Sequence, residues 1–303
     1  MRPYLKMRVE DVLIIGAGPA GLTAAIQLQR YGIPSRILER GQPGGLLNNA
    51  NLVENYPGFP EGISGVDLVK LILQQAEELA VKITLEEVIR LDWNGRHFRA
   101  KTLLSVYRAR YAIIASGTRP RPFTDFALPL KGADRIRYEV YPLFEVSPSK
   151  VAIVGAGDAA FDYALNLAQR DNQVLILNRG ENLKCLPLLW ERSQAHSQIR
   201  YFHHTEILNA LALPNGQLEL ECQSPAGITK ITVDYLIGAL GRVPQIDFIS
   251  DNLKPQIETL EAQGLLYRVG DVRNGIFRQT AIAAGDGLRA AMQIYQKLKE
   301  ISP

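Results

Sequence analysis

The sequence predicts an α/β protein of two Rossmann-like domains with three-layer ββα architecture, the second inserted into the first. Two glycine-rich segments carry this prediction: VLIIGAGPAGLTAAIQL, with Gly16, Gly18 and Gly21, and VAIVGAGDAAFDYALNL, with Gly155 and Gly157. Each follows an apolar run and opens an amphipathic stretch, which is the strand–turn–helix order of a dinucleotide-binding unit. The 303 residues, 47% of them hydrophobic, suffice for two domains with separate cores.

The spacing of these glycines suits the binding of a pyrophosphate. The first glycine allows a tight turn, the second lets backbone approach the phosphates, and the third position must be small so that the helix packs on the strand. Ala160 fills that third position in the second segment. The phosphates then lie at a helix N-terminus, where free N–H groups and the helix dipole favour negative charge. Two such segments predict two bound dinucleotides and electron transfer between them.

The first part of the chain reads as a strand over 11–15, a helix over 21–31 and a strand over 35–39. Glu39 ends that second strand and is placed to accept hydrogen bonds from ribose hydroxyls, or else is a solvated carboxylate. The stretch GQPGGLLNNANLVENYPGFPEGISG is dense in Gly, Pro and Asn, which predicts a long functional loop. A helix over 66–79 and alternating strands up to YAIIASGTRPRP follow.

The composition changes near Phe123, where a Pro-rich and charged connector leads to the second glycine segment. Beyond that segment the pattern predicts a strand, a helix and three further strands, and the chain closes with a long amphipathic helix. The predicted elements cover 174–177, 188–198, 201–208, 218–223 and 231–237.

Composition excludes several classes of function. A net charge of +3, evenly spread, does not favour nucleic-acid binding. No apolar run has the length of a membrane span, and MRPYLKMRVE lacks a signal-peptide pattern, so we expect a cytoplasmic protein with no membrane contact. Cys185 and Cys222 form no disulfide scaffold or metal cluster. His203 and His204 are adjacent in a predicted strand and would point to opposite faces, so no metal site is expected.

These motifs in this order resemble the low-molecular-weight thioredoxin reductases. GAGPAGLTAA, VENYPGFPEGISG, ASGTRP, GAGDAA, GALGRVP and GDVRNGIFRQTAIAAGDG carry the resemblance and cover nearly the whole chain. Members of the family are flavoproteins, usually homodimeric, whose FAD domain is split around an NAD(P)H domain. The resemblance implies an FAD-binding domain of 1–122 and 247–303, an NAD(P)H-binding-like domain of 123–246, and a homodimer.

The resemblance also implies the residues that hold FAD and NADPH, or NADH in its place. The glycine turn and Glu39 would hold adenosine and pyrophosphate, and the segment after Gly270 would approach ribityl chain and isoalloxazine. For FAD the implied residues are Gly16, Gly18, Pro19, Ala20, Gly21, Glu39, Arg40, Gly44, Gly45, Leu46, Asn55, Val88, Ala115, Ser116, Gly117, Gly270, Asp271, Arg278, Gln279, Thr280 and Ala281. For NAD(P)H they are Gly155, Gly157, Asp158, Ala159, Ala160, Arg179, Lys184 and Gly241.

Nucleotide preference depends on the end of the strand over 174–177. Asn178 stands where a carboxylate would repel a 2′-phosphate, and Arg179 and Lys184 offer positive charge to it. This pattern favours NADPH. A solvated strand-end arginine is the other interpretation of Arg179, which leaves NADH or no nucleotide at all as alternatives.

The chain departs from the family at the redox-active Cys-x-x-Cys pair. That stretch reads YEVYPLF, Tyr138–Phe144, and contains no thiol. A dithiol relay needs an attacking thiolate and a resolving neighbour, which tyrosine and valine cannot supply. We interpret Cys185 and Cys222 as structural thiols. The sequence therefore predicts an FAD-dependent NAD(P)H oxidoreductase, not a conventional thioredoxin reductase, that passes electrons from flavin directly to an acceptor, with no catalytic side chain identified.

Two alternatives stay open. The chain also resembles the thioredoxin-reductase-like ferredoxin–NADP(+) reductases in Tyr138, Val140, Phe144 and the run DYAL, although those enzymes usually carry a C-terminal extension beyond the last helix. A basic run in the connector would then steer an acidic ferredoxin or flavodoxin, or is a solvated surface: Arg119, Arg121, Lys131, Arg135 and Arg137. The other alternative is a non-enzymatic flavin-binding sensor or regulatory protein.

Overall fold

The computed structural model describes residues 6–129 and 131–301. They form two compact units. Within the described residues, the first comprises 6–48, 53–119 and 243–301, and the second comprises 49–52, 120–129 and 131–242. The mixture of parallel sheets and helices confirms the α/β class. The predicted domain limits at 122/123 and 246/247 stay a prediction, and their terminal residues 1–5, 302 and 303 lie outside the described part.

The first unit is built on a sheet of strand order β3–β2–β1–β6–β5–β4, with β17 also paired to β6. Its strands are β1 (Lys6–Ile15), β2 (Ser35–Glu39), β3 (Lys82–Leu85), β4 (Arg90–Trp93), β5 (Phe98–Lys101), β6 (Ser105–Ile114) and β17 (Leu266–Arg268). Only the pairings of β4 with β5 and of β5 with β6 are antiparallel in this sheet as described. Ile14 pairs with Ile37 and Ile113, in the continuous apolar runs typical of a sheet covered on both faces.

Alternate residues of these strands enter two apolar cores. Ile14 and Ile113 pack with Leu22 and Ile294 on one face, while Leu13 belongs to the core of the other face. The helices of this unit are α1 (Pro19–Arg30), α2 (Gly65–Glu78), α5 (Ile257–Ala262) and α6 (Thr280–Ile301). Ser64 caps α2 by accepting a hydrogen bond from the backbone N–H of Asp67. The first glycine turn therefore lies between a buried strand and a packed helix.

The second unit contains a parallel sheet of strand order β11–β10–β9–β15–β8 and an antiparallel sheet of order β12–β13–β14. Its elements are β8 (Ile136–Arg137), β9 (Lys150–Val154), α3 (Asp158–Ala168), β10 (Gln173–Leu177), α4 (Pro187–Gln194), β11 (Ile199–Phe202), β12 (Glu206–Ala212), β13 (Leu218–Ser224), β14 (Gly227–Val233) and β15 (Tyr235–Gly238). Where the chain passes between units, β7 (Thr118–Pro120) pairs with β16 (Arg242–Pro244).

Two predicted strands are wrong, because each is two strands. The span 201–208 breaks at a turn in which His204 has a φ of +47° and Thr205 N–H donates to the carbonyl of Asn178. The span 231–237 breaks at Asp234, whose carboxylate accepts hydrogen bonds from Lys150 N–H and the Gln217 amide. The chain there leaves the antiparallel sheet for the parallel one. The helix predicted over 188–198 also ends earlier, at Gln194.

The two adjacent histidines consequently lie in or beside a turn rather than within one strand, with ring centroids 5.0 Å apart. Among the described residues, no group of His, Cys, Asp or Glu could hold a metal ion. Across the same residues, none of the helices combines the length and apolarity needed to cross a membrane.

Candidate functional site

The three glycines of the first turn do different things. A Cβ on Gly16, where φ is +105°, would collide with the carbonyl of Ala115, and a Cβ on Gly21 would collide with the carbonyl of Gly16. A Cβ on Gly18 would meet no atom within 4 Å. Gly18 is the N-cap residue of α1, so the open space lies directly at a helix N-terminus. That arrangement suits a pyrophosphate.

Glu39 holds the glycine turn from the end of β2. Its Oε2 accepts a hydrogen bond of 2.7 Å from Ala17 N–H, and its Oε1 accepts one of 2.9 Å from Gly41 N–H. A carboxylate has about four acceptor positions. The side chain is half-buried and keeps acceptor capacity for ribose hydroxyls, the role that the sequence predicts for it.

The loop after β2 folds back onto the glycine turn. Gly44 N–H donates to the carbonyl of Ala17 at 2.8 Å, and a Cβ on Gly45 would lie 3.3 Å from the Cα of Gly18. Asn48, which was not predicted as a site residue, fixes this loop, because its side-chain amide donates to the carbonyls of Pro43 and Gly45. An asparagine within a glycine-rich loop was the available signal in the sequence.

The segment around Gly270 also lies against α1. Gly270 has a φ of +71°, and a Cβ there would lie 3.0 Å from the Cβ of Ala20. Asp286, which was also not predicted as a site residue, accepts hydrogen bonds from Gly270 N–H and the Asn274 amide. The Asn55 amide donates to Gln279 Oε1 at 2.8 Å, which joins the loop after β2 to the segment before α6.

Gln245 is a half-buried residue near the turn that follows β6. Its N–H donates to the carbonyl of Gly117, and its own carbonyl accepts a hydrogen bond from Ser116 Oγ. Its side-chain Oε1 is buried without a hydrogen-bond partner among the described residues. A buried acceptor left in this way suits a bound polar group.

The remaining residues predicted for FAD occupy several places in the first unit. Pro19 and Ala20 form the first turn of α1, Leu46 lies in a 3-10 helix, Arg40 is exposed after β2, Val88 is buried in the second core, Ala115 follows β6, Asp271 lies in the turn after β17, Arg278 precedes α6, and Thr280 and Ala281 open that helix. Their roles stay predictions.

The second glycine turn repeats the division of roles found in the first. A Cβ on Gly155 would lie 2.6 Å from the carbonyl of Ala239, whereas a Cβ on Gly157, the N-cap of α3, would meet nothing within 4 Å. Ala160 is fully buried. Ala159 is exposed in the first turn of α3, and Gly241 accepts a hydrogen bond from Arg121 N–H.

The segment after β10 crosses beside this turn. Lys184 N–H donates to the carbonyl of Ala156 at 2.9 Å, and Leu186 N–H donates to Asp158 Oδ1 at 2.8 Å. Asp158 therefore fixes the segment, and its negative charge in the first turn of α3 is favourable to the helix dipole. The Lys184 residue is exposed.

Asn178 and Arg179 differ in their surroundings. Asn178 is buried, and its side chain donates to Tyr201 Oη at 2.8 Å and accepts from Gly180 N–H, so it shapes the turn. Arg179 is exposed, and its Nη1 lies 3.0 Å from Asp125 Oδ2. The two residues are 54 positions apart, so no local pattern indicated that ion pair.

Aromatic packing occupies the stretch where the resemblance implies a dithiol. Tyr138 Oη accepts a hydrogen bond of 3.1 Å from Phe123 N–H, and the two rings lie 5.6 Å apart. Tyr141 begins a 3-10 helix and packs against the ring of Phe144. Asn49 Oδ1 accepts hydrogen bonds from the N–H groups of Val140 and Tyr141.

Both cysteines are free. Cys222 is buried in β13, and burial raises the pKa of its thiol to about 11. Burial, together with the charge of Asp158, also raises the pKa of the Cys185 thiol. A raised pKa disfavours the reactive thiolate. These surroundings support the structural interpretation of both residues.

Asp162 is a functional candidate whose only sequence signal is its place in the run DYAL. Its carboxylate oxygens lie 3.0 and 3.2 Å from Asn51 N, whose N–H donates to them. Burial raises its pKa to about 7, and the nearby charge of Asp158 adds to that rise. Asn51 is distant in sequence, so no local pattern indicated this contact.

Comparison with known proteins identifies the family. The model of the pyridine nucleotide-disulphide oxidoreductases matches residues 10–287. The chain is 27% identical to thioredoxin reductase 2 of Arabidopsis thaliana, over 96% of this chain and 82% of that one. It is 28% identical to a thioredoxin reductase of Mycolicibacterium smegmatis, over 96% and 97%.

A solved thioredoxin reductase of Lactococcus lactis superposes with a TM-score of 0.81 at 27% identity, covering 96% of this chain and 99% of that one. This agreement confirms the Rossmann-like, two-domain fold and the resemblance drawn from the motifs. The chain is a member of the pyridine nucleotide-disulphide oxidoreductase family with the fold of the low-molecular-weight thioredoxin reductases.

Proposed function

We propose that this oxidoreductase transfers reducing equivalents from NAD(P)H through FAD directly to an acceptor, without a dithiol relay. One contrast carries the proposal: both glycine turns keep open space at a helix N-terminus, at Gly18 and Gly157, while tyrosines pack where the relay would stand. Binding of two dinucleotides is thus supported, and disulfide exchange is not.

The first unit has residues that fit FAD. The N–H groups at the start of α1 would bind the pyrophosphate, Glu39 the ribose, and the segments joined by Asn55 and Gln279 the flavin side. FAD, when bound, supplies the capacity to accept a hydride and to release electrons onward. The protein supplies orientation and charge, since no acid or base of the chain is assigned to a step.

The second unit has residues that fit a nicotinamide nucleotide. Gly155 and Gly157 with α3 form a second phosphate-binding turn, beside which Asp158 fixes the segment carrying Lys184. Arg179 and Lys184 are exposed cations that favour the 2′-phosphate of NADPH. A homodimer and a cytoplasmic location remain predictions.

Ferredoxin or flavodoxin is the alternative acceptor, with weaker support. In the basic run, Arg119 is paired with Asp247 at 3.0 Å, and Arg135 lies 3.7 Å from Asp134. These ion pairs reduce the charge available to an acidic partner. The sensor alternative predicts bound flavin without turnover.

Anaerobic mixing of the purified flavoprotein with NADPH and with NADH tests the proposal. We expect rapid loss of flavin absorbance with NADPH and a slower loss with NADH. Absence of reduction by either nucleotide would favour the sensor. Strong stimulation of NADPH oxidation by ferredoxin, lost at high salt, would favour the ferredoxin reductase.

A further inference from the structure

The Arg179–Asp125 ion pair lies at the position that decides nucleotide selectivity in a Rossmann-like unit. Arg179 follows β10, the second strand after the glycine turn, where the ribose of a bound dinucleotide is recognised. The Arg179 Nη1 to Asp125 Oδ2 distance is 3.0 Å, and both side chains are mostly exposed. The guanidinium on which NADPH preference depends therefore already has an anionic partner.

Neighbouring residues place the Asp125 carboxylate. Its Oδ1 accepts a hydrogen bond of 3.1 Å from Thr124 Oγ1, while Oδ2 faces Arg179. On either side of it, Phe123 is buried in a core of the second unit, and the Phe126 ring packs 5.2 Å from that of Phe123. The Phe123 N–H donates to Tyr138 Oη. Two aromatic side chains and a hydrogen bond thus hold the segment in which Asp125 lies.

The strand-end position itself carries no acid. In an NAD-preferring unit a carboxylate near this point binds the ribose hydroxyls, whereas in an NADP-preferring unit an arginine binds the 2′-phosphate. Here Asn178 is committed to Tyr201 and Gly180, and the carboxylate comes from Asp125, a residue well before the glycine turn. This chain therefore combines an arginine typical of NADP-preferring units with a carboxylate, that of Asp125, from a distant part of the sequence.

We propose that Asp125 sets the nucleotide selectivity of the second unit by competing with the 2′-phosphate of NADPH for Arg179. The inference rests on the nucleotide site proposed above and adds its selectivity-determining residue. NADH has a hydroxyl at that position and does not compete for the guanidinium. Asp125 thus weakens NADPH binding and leaves NADH binding unchanged, which narrows the preference that Arg179 would otherwise give.

Calorimetric binding of NADP(+) and NAD(+) to the full chain tests this without requiring flavin reduction. Asp125→Asn removes the charge and retains a side-chain oxygen, and Arg179→Ala removes its target. Asp134→Asn is the matched control, since it makes the same exchange at another exposed acid of the connector. An exposed ion pair contributes about 0.2–1 kcal/mol, so Asp125→Asn should tighten NADP(+) binding about 1.4- to 5-fold.

Three further results are expected. NAD(+) affinity stays unchanged in Asp125→Asn, the gain disappears in the Arg179→Ala background, and it shrinks at high salt because the pair is exposed. Equal tightening for both nucleotides, an equal effect of Asp134→Asn, persistence without Arg179, or failure of NADP(+) to bind would each overturn the inference. Selective NADP(+) binding without flavin reduction would instead overturn the proposed function and leave the role of Asp125 intact.

Discussion

Gly18 is the residue at which fold and cofactor binding can be separated. It has an ordinary φ of −76°, and a Cβ there would meet no protein atom within 4 Å. A larger residue is therefore compatible with the fold but would fill the space proposed for the pyrophosphate.

Gly18→Val should consequently lose bound FAD while the chain remains folded, as measured by flavin absorbance per protein and by circular dichroism. Gly285→Val is the control, since Gly285 is exposed on α6 and also faces open space. Full flavin content in Gly18→Val would contradict the assignment of the first turn.

Asp162 gives a pH dependence with a defined sign. Its carboxyl pKa is raised from 3.8 to about 7 by burial, so between these values the folded state binds a proton that the unfolded chain has released. The free energy of unfolding therefore falls as pH rises through that range.

Asp162→Asn removes this titration and keeps an oxygen that can accept the Asn51 N–H. The free energy of unfolding of this variant, relative to that of the unmodified protein, should be about 1–4 kcal/mol higher at pH 8 than at pH 5. Urea unfolding at the two pH values measures this difference. Asp134→Asn should leave the slope unaltered. Parallel pH profiles for Asp162→Asn and the unmodified protein would show that this carboxylate titrates in its ordinary range.

At the scale of elements, α6 approaches α1 closely at one glycine. A Cβ on Gly287 would collide with the carbonyl of Ala20 in α1. Gly285, two positions earlier, has open space around it and lies on the exposed side of the same helix.

The two glycines should respond oppositely to alanine. Gly287→Ala should destabilise the protein by about 1–3 kcal/mol through overpacking. Gly285→Ala should stabilise it by about 0.5–1 kcal/mol, because alanine is the better helix former. Thermal or urea unfolding of the pair measures both, and a gain in stability from Gly287→Ala would mean that the helices are not in close contact there.

Elements whose signal is local were predictable from the sequence. The strands and helices around both glycine turns follow from apolar runs, small residues and capping positions that stand together in the chain. The turns at His204 and Asp234 were not, since neither contains a glycine or proline to mark it and only hydrogen bonds to Asn178, Lys150 and Gln217 reveal the break. The sequence signal of the glycine turns is likewise local, whereas the Asp125–Arg179 ion pair joins distant residues and depends on the tertiary fold.

At the scale of the whole molecule, the proposed route of the electrons to the acceptor depends on whether the two cysteines can act as a relay. The pKa values of the Cys185 and Cys222 thiols are both raised, and the stretch Tyr138–Phe144 contains no cysteine. Electrons should therefore leave without passing through a protein thiol.

A Cys185→Ser, Cys222→Ser double variant should keep its FAD and at least half of its NAD(P)H–dye reductase activity, with any loss arising from the stability of the second unit. The unmodified protein should fail to reduce thioredoxin in an NADPH-coupled assay. Thioredoxin turnover that vanishes in the double variant would reveal a relocated dithiol.

The grouping of Asn49–Leu52 with the second unit has a practical consequence for dissecting the chain. Within this segment, Asn49 Oδ1 accepts hydrogen bonds from the N–H groups of Val140 and Tyr141. The backbone carbonyl of Asn49 accepts one from the Asn166 side-chain amide. A fragment cut at 120 and 242 would lack all of these acceptors, although it contains every strand of its own sheets. The second unit is thus not expected to fold as a fragment of 120–242 alone. A truncated version needs the peptide 49–52, fused or added in trans, so that these N–H groups regain their acceptors.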